Sequence, residues 1–342
     1  MKIIGCDLHA AQQSIAMLDA DTGHVVETTL KHEADTVRQF YAALPLPVVV
    51  GIEATGSMGW FLRLLEELGI AYRVGDPAKI RKAETRRQKH DRRDAGLLLQ
   101  LLREDRFPSI WVPSAELRDV RALLLHRQQW VRMRTRVMNA LQGIALARGI
   151  RRRAALWSGD GQAVLASLAL PPHEGDRRSA LQALYRHFNE QIDDLDHRVE
   201  EQADQRPQSR RLMTHPGVGP VTALATEVFL GEPSRFRNGK ALASYVGLIP
   251  GEYSSGARQR LGQVTKQGNP LLRCLWCEAA IHAVRRDDVL RHFYRRKLQQ
   301  KGLGKARVAV ARKLGIRLWI FLRDQIDYEE FYRRRPSLTT ER

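Results

Sequence analysis

Four carboxylates carry the strongest chemical signal in the chain: Asp7, Glu53, Asp91 and Asp94. Asp7 interrupts the apolar run MKIIGCDL, where an unpaired carboxylate carries a large desolvation penalty, and Glu53 ends the β-branched run VVVGIE in the same way. Asp91 and Asp94, in KHDRRDAGLLL, stand three apart in a segment of helical spacing, which sets both on one face. Acids delivered by two strand ends and one helix can converge on a point. Phosphodiester cleavage by a metal mechanism needs such a cluster, because hard oxygen ligands hold one or two Mg²⁺ ions, or Mn²⁺, about 4 Å apart. Taken singly, each acid has a plainer use: Asp91 as a helix cap, Asp94 in ion pairs with neighbouring arginines, Glu53 against a helix N-terminus.

Basic and hydroxyl groups extend the pattern. Lys79, Arg81, Lys82, Arg86, Arg87, Lys89, Arg92 and Arg93 surround the second acidic pair, and from that run Arg86, Arg87, Lys89, Arg92 and Arg93 are the candidates for phosphate contact. The alternative is a solvated helix face. His215 to Pro220, HPGVGP, resembles the turn of a helix-hairpin-helix element, whose glycines, here Gly217 and Gly219, let backbone N–H groups approach a phosphate. A plain interhelical turn is the competing reading. Farther on, Ser254 and Ser255 precede Gly256, with Arg258, Arg260 and Lys266 following. A hydroxyl beside several cations can act as a phosphoryl nucleophile, since the cations stabilise both the alkoxide and the transferring phosphate. Serines in such turns more often cap or fill.

These groups need elements to hold them. Ile3 to Leu8, Ser14 to Asp19 and Val25 to Lys31 read as three strands in a meander, and Asp35 to Leu44 has helical spacing. Val48 to Glu53 reads as a strand buried on both faces, Met58 to Leu68 as an amphipathic helix ending at Gly69, and Ala71 to Val74 as another short strand. That order predicts a ribonuclease-H-like mixed sheet with helices on its faces. Leu117 to about Gly149 and Arg178 to about Gln205 read as two long charged helices joined through Trp157 to Glu174, either the arms of a self-associating hairpin or coiled coil or a surface helical bundle with no partner. The predicted organisation is an α/β domain over 1–112, a helical oligomerisation region over 113–208, a mainly α domain over 209–332 and a basic tail over 333–342.

Composition narrows the partners. Lysine and arginine number 56 against 38 aspartates and glutamates, a formal net charge of +18 over 342 residues, which favours a polyanion. No apolar run approaches a spanning helix and no signal-peptide pattern opens the chain, so a membrane is not expected and the cytoplasm, with the nucleoid, is. Three cysteines argue against a disulfide framework, and the single C-x-x-C of Cys274 and Cys277 lacks the second pair that a zinc tetrad needs.

Taken in order, GCDLH, GIEATGS, KHDRRDA, PGVGPVTA, GLIP, SSG and TKQGNPLLR resemble the DEDD transposases of the IS110 insertion-sequence family, nearest its IS1111 branch. The resemblance spans most of the chain and leaves mainly the helical middle unmatched. It implies a RuvC-like N-terminal domain with Asp7, Glu53, Asp91 and Asp94 as an acidic tetrad, and a transposase domain whose Ser255 forms a covalent phosphoserine link to DNA. It also implies element-end and target DNA, a structured guide RNA of the bridge type, and dimers paired into tetramers. Two other readings stay open on the residues alone: a metal-dependent RuvC-like junction nuclease without a covalent intermediate, and a non-catalytic nucleic-acid-binding protein.

Overall fold

The computed structural model describes residues 1–83, 91–151, 155–252 and 260–334, with the side chains of Asp91 and Arg92 left out. Two compact units divide the chain, Met1–Ala115 and Glu116–Arg342.

The first unit is a mixed six-stranded sheet with helices on both faces. Its elements run β1 (Lys2–Leu8), β2 (Gln12–Asp19), β3 (Val25–Lys31), α1 (Thr36–Ala42), β4 (Val48–Glu53), α2 (Gly59–Glu67), β5 (Ala71–Gly75), α3 (Pro77–Ala83), α4 (Asp91–Arg103) and β6 (Ser109–Ile110). Across the sheet the order is β3-β2-β1-β4-β5-β6. The meander is antiparallel, β4 lies parallel to β1, and β5 parallel to β4. The predicted strands and helices of this region are all present, displaced at their ends by a residue or two. The alternation of side chains sorts the two faces. Ile4, Cys6 and Leu8 of β1 and Val48, Val50 and Ile52 of β4 share one core with Val37, Tyr41, Phe61, Leu62 and Leu65 of α1 and α2. The intervening residues, Ile3, Gly5 and Asp7 on β1 and Val49, Gly51 and Glu53 on β4, therefore face the other way, toward α4.

Glycine governs that second face. A Cβ on Gly5 would stand 2.2 Å from the Ala95 carbonyl oxygen and 2.4 Å from the Leu99 nitrogen, so the backbone of α4 rests directly on β1. Gly51, the register partner of Gly5, is filled over by Leu102 and Phe107, whose atoms lie 2.6 and 3.0 Å from its added Cβ.

The second unit is mostly helical. It comprises α5 (Ala115–Ala147), α6 (Gly159–Ala166), α7 (Pro172–Asp204), α8 (Pro207–Met213), α9 (Pro220–Leu230), α10 (Gly239–Val246), a ribbon of β7 (Pro250–Glu252) and β8 (Leu261–Val264), then α11 (Pro270–Arg286), α12 (Asp288–Asp324) and α13 (Tyr328–Arg333). The long helices α5 and α7 run antiparallel: Arg127 pairs with Asp196, Arg134 donates to Asn189 at 3.0 Å and Arg148 to Glu174 at 2.6 Å. Pro171 and Pro172 start α7 six residues before the Arg178 that sequence patterning picked, because proline fits the first helical position. The segment expected to join the arms itself holds α6, N-capped by Ser158. At the base of the arms, Val120, Leu124, Val199 and Ala203 enter one core with α9 to α12. Within it Trp276 lies over Gly315, where an added Cβ would stand 2.0 Å from the ring, and its indole N–H donates to Thr226 at 2.9 Å.

Two alanines test the glycine-built face. Gly5→Ala should lower unfolding free energy by about 3 kcal/mol, the upper range for overpacking against an element that cannot yield. Gly96→Ala, on α4 with no atom within 4 Å of the added Cβ, should raise it by about 1 kcal/mol. Denaturant unfolding followed by circular dichroism reads both. Equal effects would mean that α4 does not rest on β1.

Candidate functional site

The acidic face grows out of the strand register. Cys6 is paired with Ile52 across parallel strands, so Asp7 and Glu53 come next in line on neighbouring strands, on the same face and at the same end. Asp7 is 8 % exposed, and Glu53 is half-buried. Asp7 Oδ2 lies 3.0 Å from His9 Nε2, an ion pair when the imidazole is protonated. Sequence reasoning missed His9, although its spacing two residues beyond Asp7 in GCDLH was the available signal. On the other side, Asp7 is register partner to the buried Ser14 of β2.

Above this face, Ile3 packs against the cluster holding Leu98, Leu101 and Leu102, while Gly5 meets Ala95. Earlier residues of α4 thus answer later residues of β1, and the first turn of α4 is carried toward the Asp7 end of the strand. Asp94, half-buried, precedes Ala95, and Asp91 is the first residue of the helix, its side chain outside the described residues. Among the described residues no group of three or more His, Cys, Asp or Glu side chains is arranged to hold a metal ion. The donor types are all oxygen, the kind that suits a hard divalent ion. Arg93 is exposed on α4. Of the other predicted basic contacts near this face, Arg86, Arg87 and Lys89 lie outside the described residues, as does the side chain of Arg92.

In the second unit, Ser254, Ser255 and Arg258 also lie outside the described residues, between the strands of the β7–β8 ribbon that sequence analysis had not foreseen. Arg260 and Lys266 are exposed, and Lys266 adopts φ 55°, a left-handed conformation just after β8. Cys274 and Cys277 lie on α11, and burial pushes both thiols up, which disfavours the thiolate that metal binding needs.

The HPGVGP turn joins α8 to α9. Gly217 has φ +88°, and a Cβ there would stand 2.5 Å from the Ala283 nitrogen, so glycine is required by both conformation and contact with α11. Beneath the turn lies a buried polar network that no local pattern announced. Asp287 caps α12 by accepting from Leu290 N–H at 2.7 Å, and its other oxygen accepts from Arg317 at 2.6 Å and Tyr332 at 2.7 Å. Burial works to raise the Asp287 pKa, but Arg317, the Leu290 amide and the Tyr332 hydroxyl together hold it below the ordinary carboxylate value. His215 sits beside them, its ring 5.0 Å from Tyr328 and its Nδ1 3.0 Å from the Pro216 carbonyl oxygen, which makes Nδ1 the protonated nitrogen of the neutral ring. Burial pushes its pKa down to about 4, against the pull of the Pro216 carbonyl.

No helix of the described residues is long and apolar enough to cross a membrane. Two family profiles match the chain, in order. A DEDD transposase profile of the IS110 type covers residues 4–147, and one described as "Transposase IS116/IS110/IS902 family" covers residues 209–295. The chain is 29% identical over 334 residues to a probable family 20 transposase of Pseudomonas aeruginosa, covering 95% of this chain and 98% of that one. It is 27% identical to the transposase for insertion sequence element IS1111A of Coxiella burnetii, covering 96% and 91% respectively. A pilin gene-inverting protein of Moraxella lacunata is 31% identical over 132 residues, 37% of this chain and 41% of its own length.

His215 gives a pH test of the turn. Its folded pKa, near 4, lies below the ordinary 6.5, so the unfolded chain takes up the proton first. Its contribution is complete above about pH 6.5 and is lost as pH falls toward about 4, by roughly 3 kcal/mol in all. Asp287, with a depressed pKa, contributes above the ordinary carboxylate range and loses its share only at lower pH. Unfolding curves for the wild type and His215→Asn between pH 7 and 4 should converge as pH falls. Parallel curves would show that the ring is not held neutral.

Proposed function

The chain belongs to the IS110/IS116 family of DEDD transposases, DNA-acting enzymes, and we propose that it is a site-specific recombinase that excises and inserts an insertion-sequence element under the guidance of a structured RNA. What carries this reading is the pairing of Asp7 with Glu53 at matched ends of β1 and β4, beneath the helix that supplies Asp91 and Asp94. The strand order, a three-strand meander followed by parallel strands with α4 across the face, supports a RuvC-like, ribonuclease-H-like assignment for this unit. Family membership implies a divalent metal. Here Mg²⁺ is the proposed ion, with Mn²⁺ able to replace it, and Asp7, Glu53, Asp91 and Asp94 would be its ligands. Such an ion supplies charge stabilisation at the phosphate oxygens.

Ser255 is the proposed nucleophile. Its Oγ gives up a proton and bonds to phosphorus, the sugar oxygen of the cleaved strand leaves and gains a proton, and the seryl phosphodiester keeps the strand ready for rejoining. One ester replaces another, so no nucleotide cofactor is consumed. Arg258, Arg260 and Lys266 would contact the phosphate, and Arg86, Arg87, Lys89, Arg92 and Arg93 the strands near the acids. The net charge of +18 supports DNA and RNA as partners, and the antiparallel arms of α5 and α7 support a coiled-coil self-association in dimers that pair into tetramers. The domain limits proposed are 1–112, 113–208, 209–332 and 333–342, with association to the nucleoid following from the DNA substrate.

The test incubates purified protein, its guide RNA and element-end DNA with Mg²⁺ and separates the products under denaturing conditions. A protein-linked DNA band should form, vanish in Ser255→Ala without loss of nucleic-acid binding, and fall in Asp7→Asn by more than the roughly 10–100-fold that outer partners of a metal contribute. A band persisting in Ser255→Ala overturns the serine assignment. Cleaved but unlinked DNA, lost in Asp7→Asn and indifferent to Ser255→Ala, would identify a metal-only nuclease instead.

A further inference from the structure

Helix α12 is two helices that meet at Gly302, whose φ of 75° and ψ of 171° break the helical path. A straight helix would hold Asp287 and Arg317 about 45 Å apart, yet their side chains meet at 2.6 Å, and Gly302 lies midway between them in sequence. Nearer the bend, Lys313 Nζ lies 4.5 Å from the centre of the Phe293 ring. The two halves therefore run back along each other as a hairpin. Its root is buried: Leu290, Val310, Ala311 and Leu314 enter the large core of the second unit, with Phe293, Tyr294 and Val308 packed against it. Its far end stands clear of that core, since every residue from 295 to 305 is exposed except the half-buried Lys297.

The tip is apolar at its point. Leu303 is 66 % exposed, the most of any large apolar side chain among the described residues. Its neighbours Gly302 and Gly304 bring no side chains of their own, and nothing stands within 4 Å of where their Cβ atoms would be, so the point is narrow. Around that point the charge is of one sign. From Val289 to Arg323 the sequence holds eleven lysines and arginines and no aspartate or glutamate. Arg295, Arg296, Lys297, Lys301 and Lys305 belong to the far end, and among the described residues none of the five has an acidic partner. Like charges gathered on one tip repel one another, a cost that a polyanion removes. Protein interfaces are depleted in lysine at their centres, whereas here the exposed leucine sits between Lys301 and Lys305, so the composition favours nucleic acid over a protein partner.

We propose that the tip of this hairpin is a wedge for double-stranded nucleic acid: Leu303 inserts at a base step and partly unstacks it, while Lys301 and Lys305 meet the phosphates on either side. The proposal rests on the reading of the chain as a nucleic-acid enzyme and gives that reading a physical step, the local opening of a duplex before its strands are exchanged. An apolar side chain pushed between stacked bases kinks the duplex by roughly 20–90°. Taking the leucine out of water and gaining phosphate contacts offset the lost stacking. The root explains how the tip can press against bases that resist it. The buried Asp287–Arg317 pair and the core contacts of Leu290, Val310 and Leu314 tie both halves of the hairpin to the body of the unit.

The experiment binds the full chain to two short duplexes of unrelated sequence, each with a donor dye at one end and an acceptor at the other. Anisotropy reads affinity, energy transfer reads the kink and melting temperature reads folding. Saturating wild-type protein should raise the transfer in both duplexes. Leu303→Ala should lose that rise while affinity changes little, because phosphate contacts supply most of it, and Leu303→Phe should restore the rise. The Lys301→Ala, Lys305→Ala double variant should make the slope of log affinity against log salt shallower by about 2. These side chains are exposed, so the melting temperature should stay the same throughout. A wild-type complex as straight as the free duplex overturns the proposal, and so does a kink that survives in Leu303→Ala. If that variant instead keeps the kink but lowers the mass of the free protein in light scattering, or loses binding to phosphatidylglycerol vesicles, the tip serves a protein contact or a lipid surface and the proposal fails. The kink is read without cleavage, so its absence leaves the covalent-adduct assay standing, and the adduct can fail to form while the kink persists.

Discussion

The structure depends first on how closely one helix can approach a sheet. Gly5 and Gly51 occupy paired positions on neighbouring parallel strands, and their missing side chains let α4 and its Leu102 settle against β1 and β4. Two residues later on the same face come Asp7 and Glu53. At the start of the helix come Asp91 and Asp94. The seating of α4 on β1 is therefore set by backbone contact, which is stiffer than any contact through flexible side chains. Chemistry on phosphates is sensitive to misplacement of about 1 Å, so a glycine-built contact is the kind of support that the proposed site would use.

The second unit uses a different means to the same end. Its core is large and apolar, but the turn at His215 to Pro220 is held by a buried charge pair, Asp287 with Arg317, whose remaining capacity is taken up by tyrosine hydroxyls and a helix amide. A buried pair of this kind contributes little net stability compared with apolar packing, yet removing one partner strands the other at about 3–5 kcal/mol. Its effect is to fix geometry: the consecutive helices α11, α12 and α13 meet the turn of an earlier segment at one junction, with the exposed Arg285 and Arg286 at the end of α11.

Much of this was legible in the sequence because it is local. Asp7 and Glu53 stood out through their conflict with apolar, β-branched surroundings, and the strands around them followed from alternation. The role of Gly5 and Gly51 was not legible, since a glycine shows close approach only when the partner is known, and α4 begins some 85 residues after Gly5. The Asp287–Arg317 pair, 30 residues apart, was hidden for the same reason. Pro250 and Gly251 concealed the β7–β8 ribbon, being residues that weaken a strand signal. Ser158, by contrast, was a readable helix cap within a stretch taken as a connection. His9 shared a motif with Asp7 and needed only the two-residue period to be placed beside it.

The proposed metal site needs acids from β1, β4 and α4 on one ion. Calorimetric titration of the full chain with Mn²⁺ reads that sharing, comparing wild type with Asp7→Asn, Glu53→Gln, Asp91→Asn and Asp94→Asn. If the ligands are shared, each change weakens the same binding event by about tenfold or more. Wild-type affinity in Asp91→Asn and Asp94→Asn, alongside loss in Asp7→Asn, would rule out a shared ion, because the helix would then contribute nothing to the site.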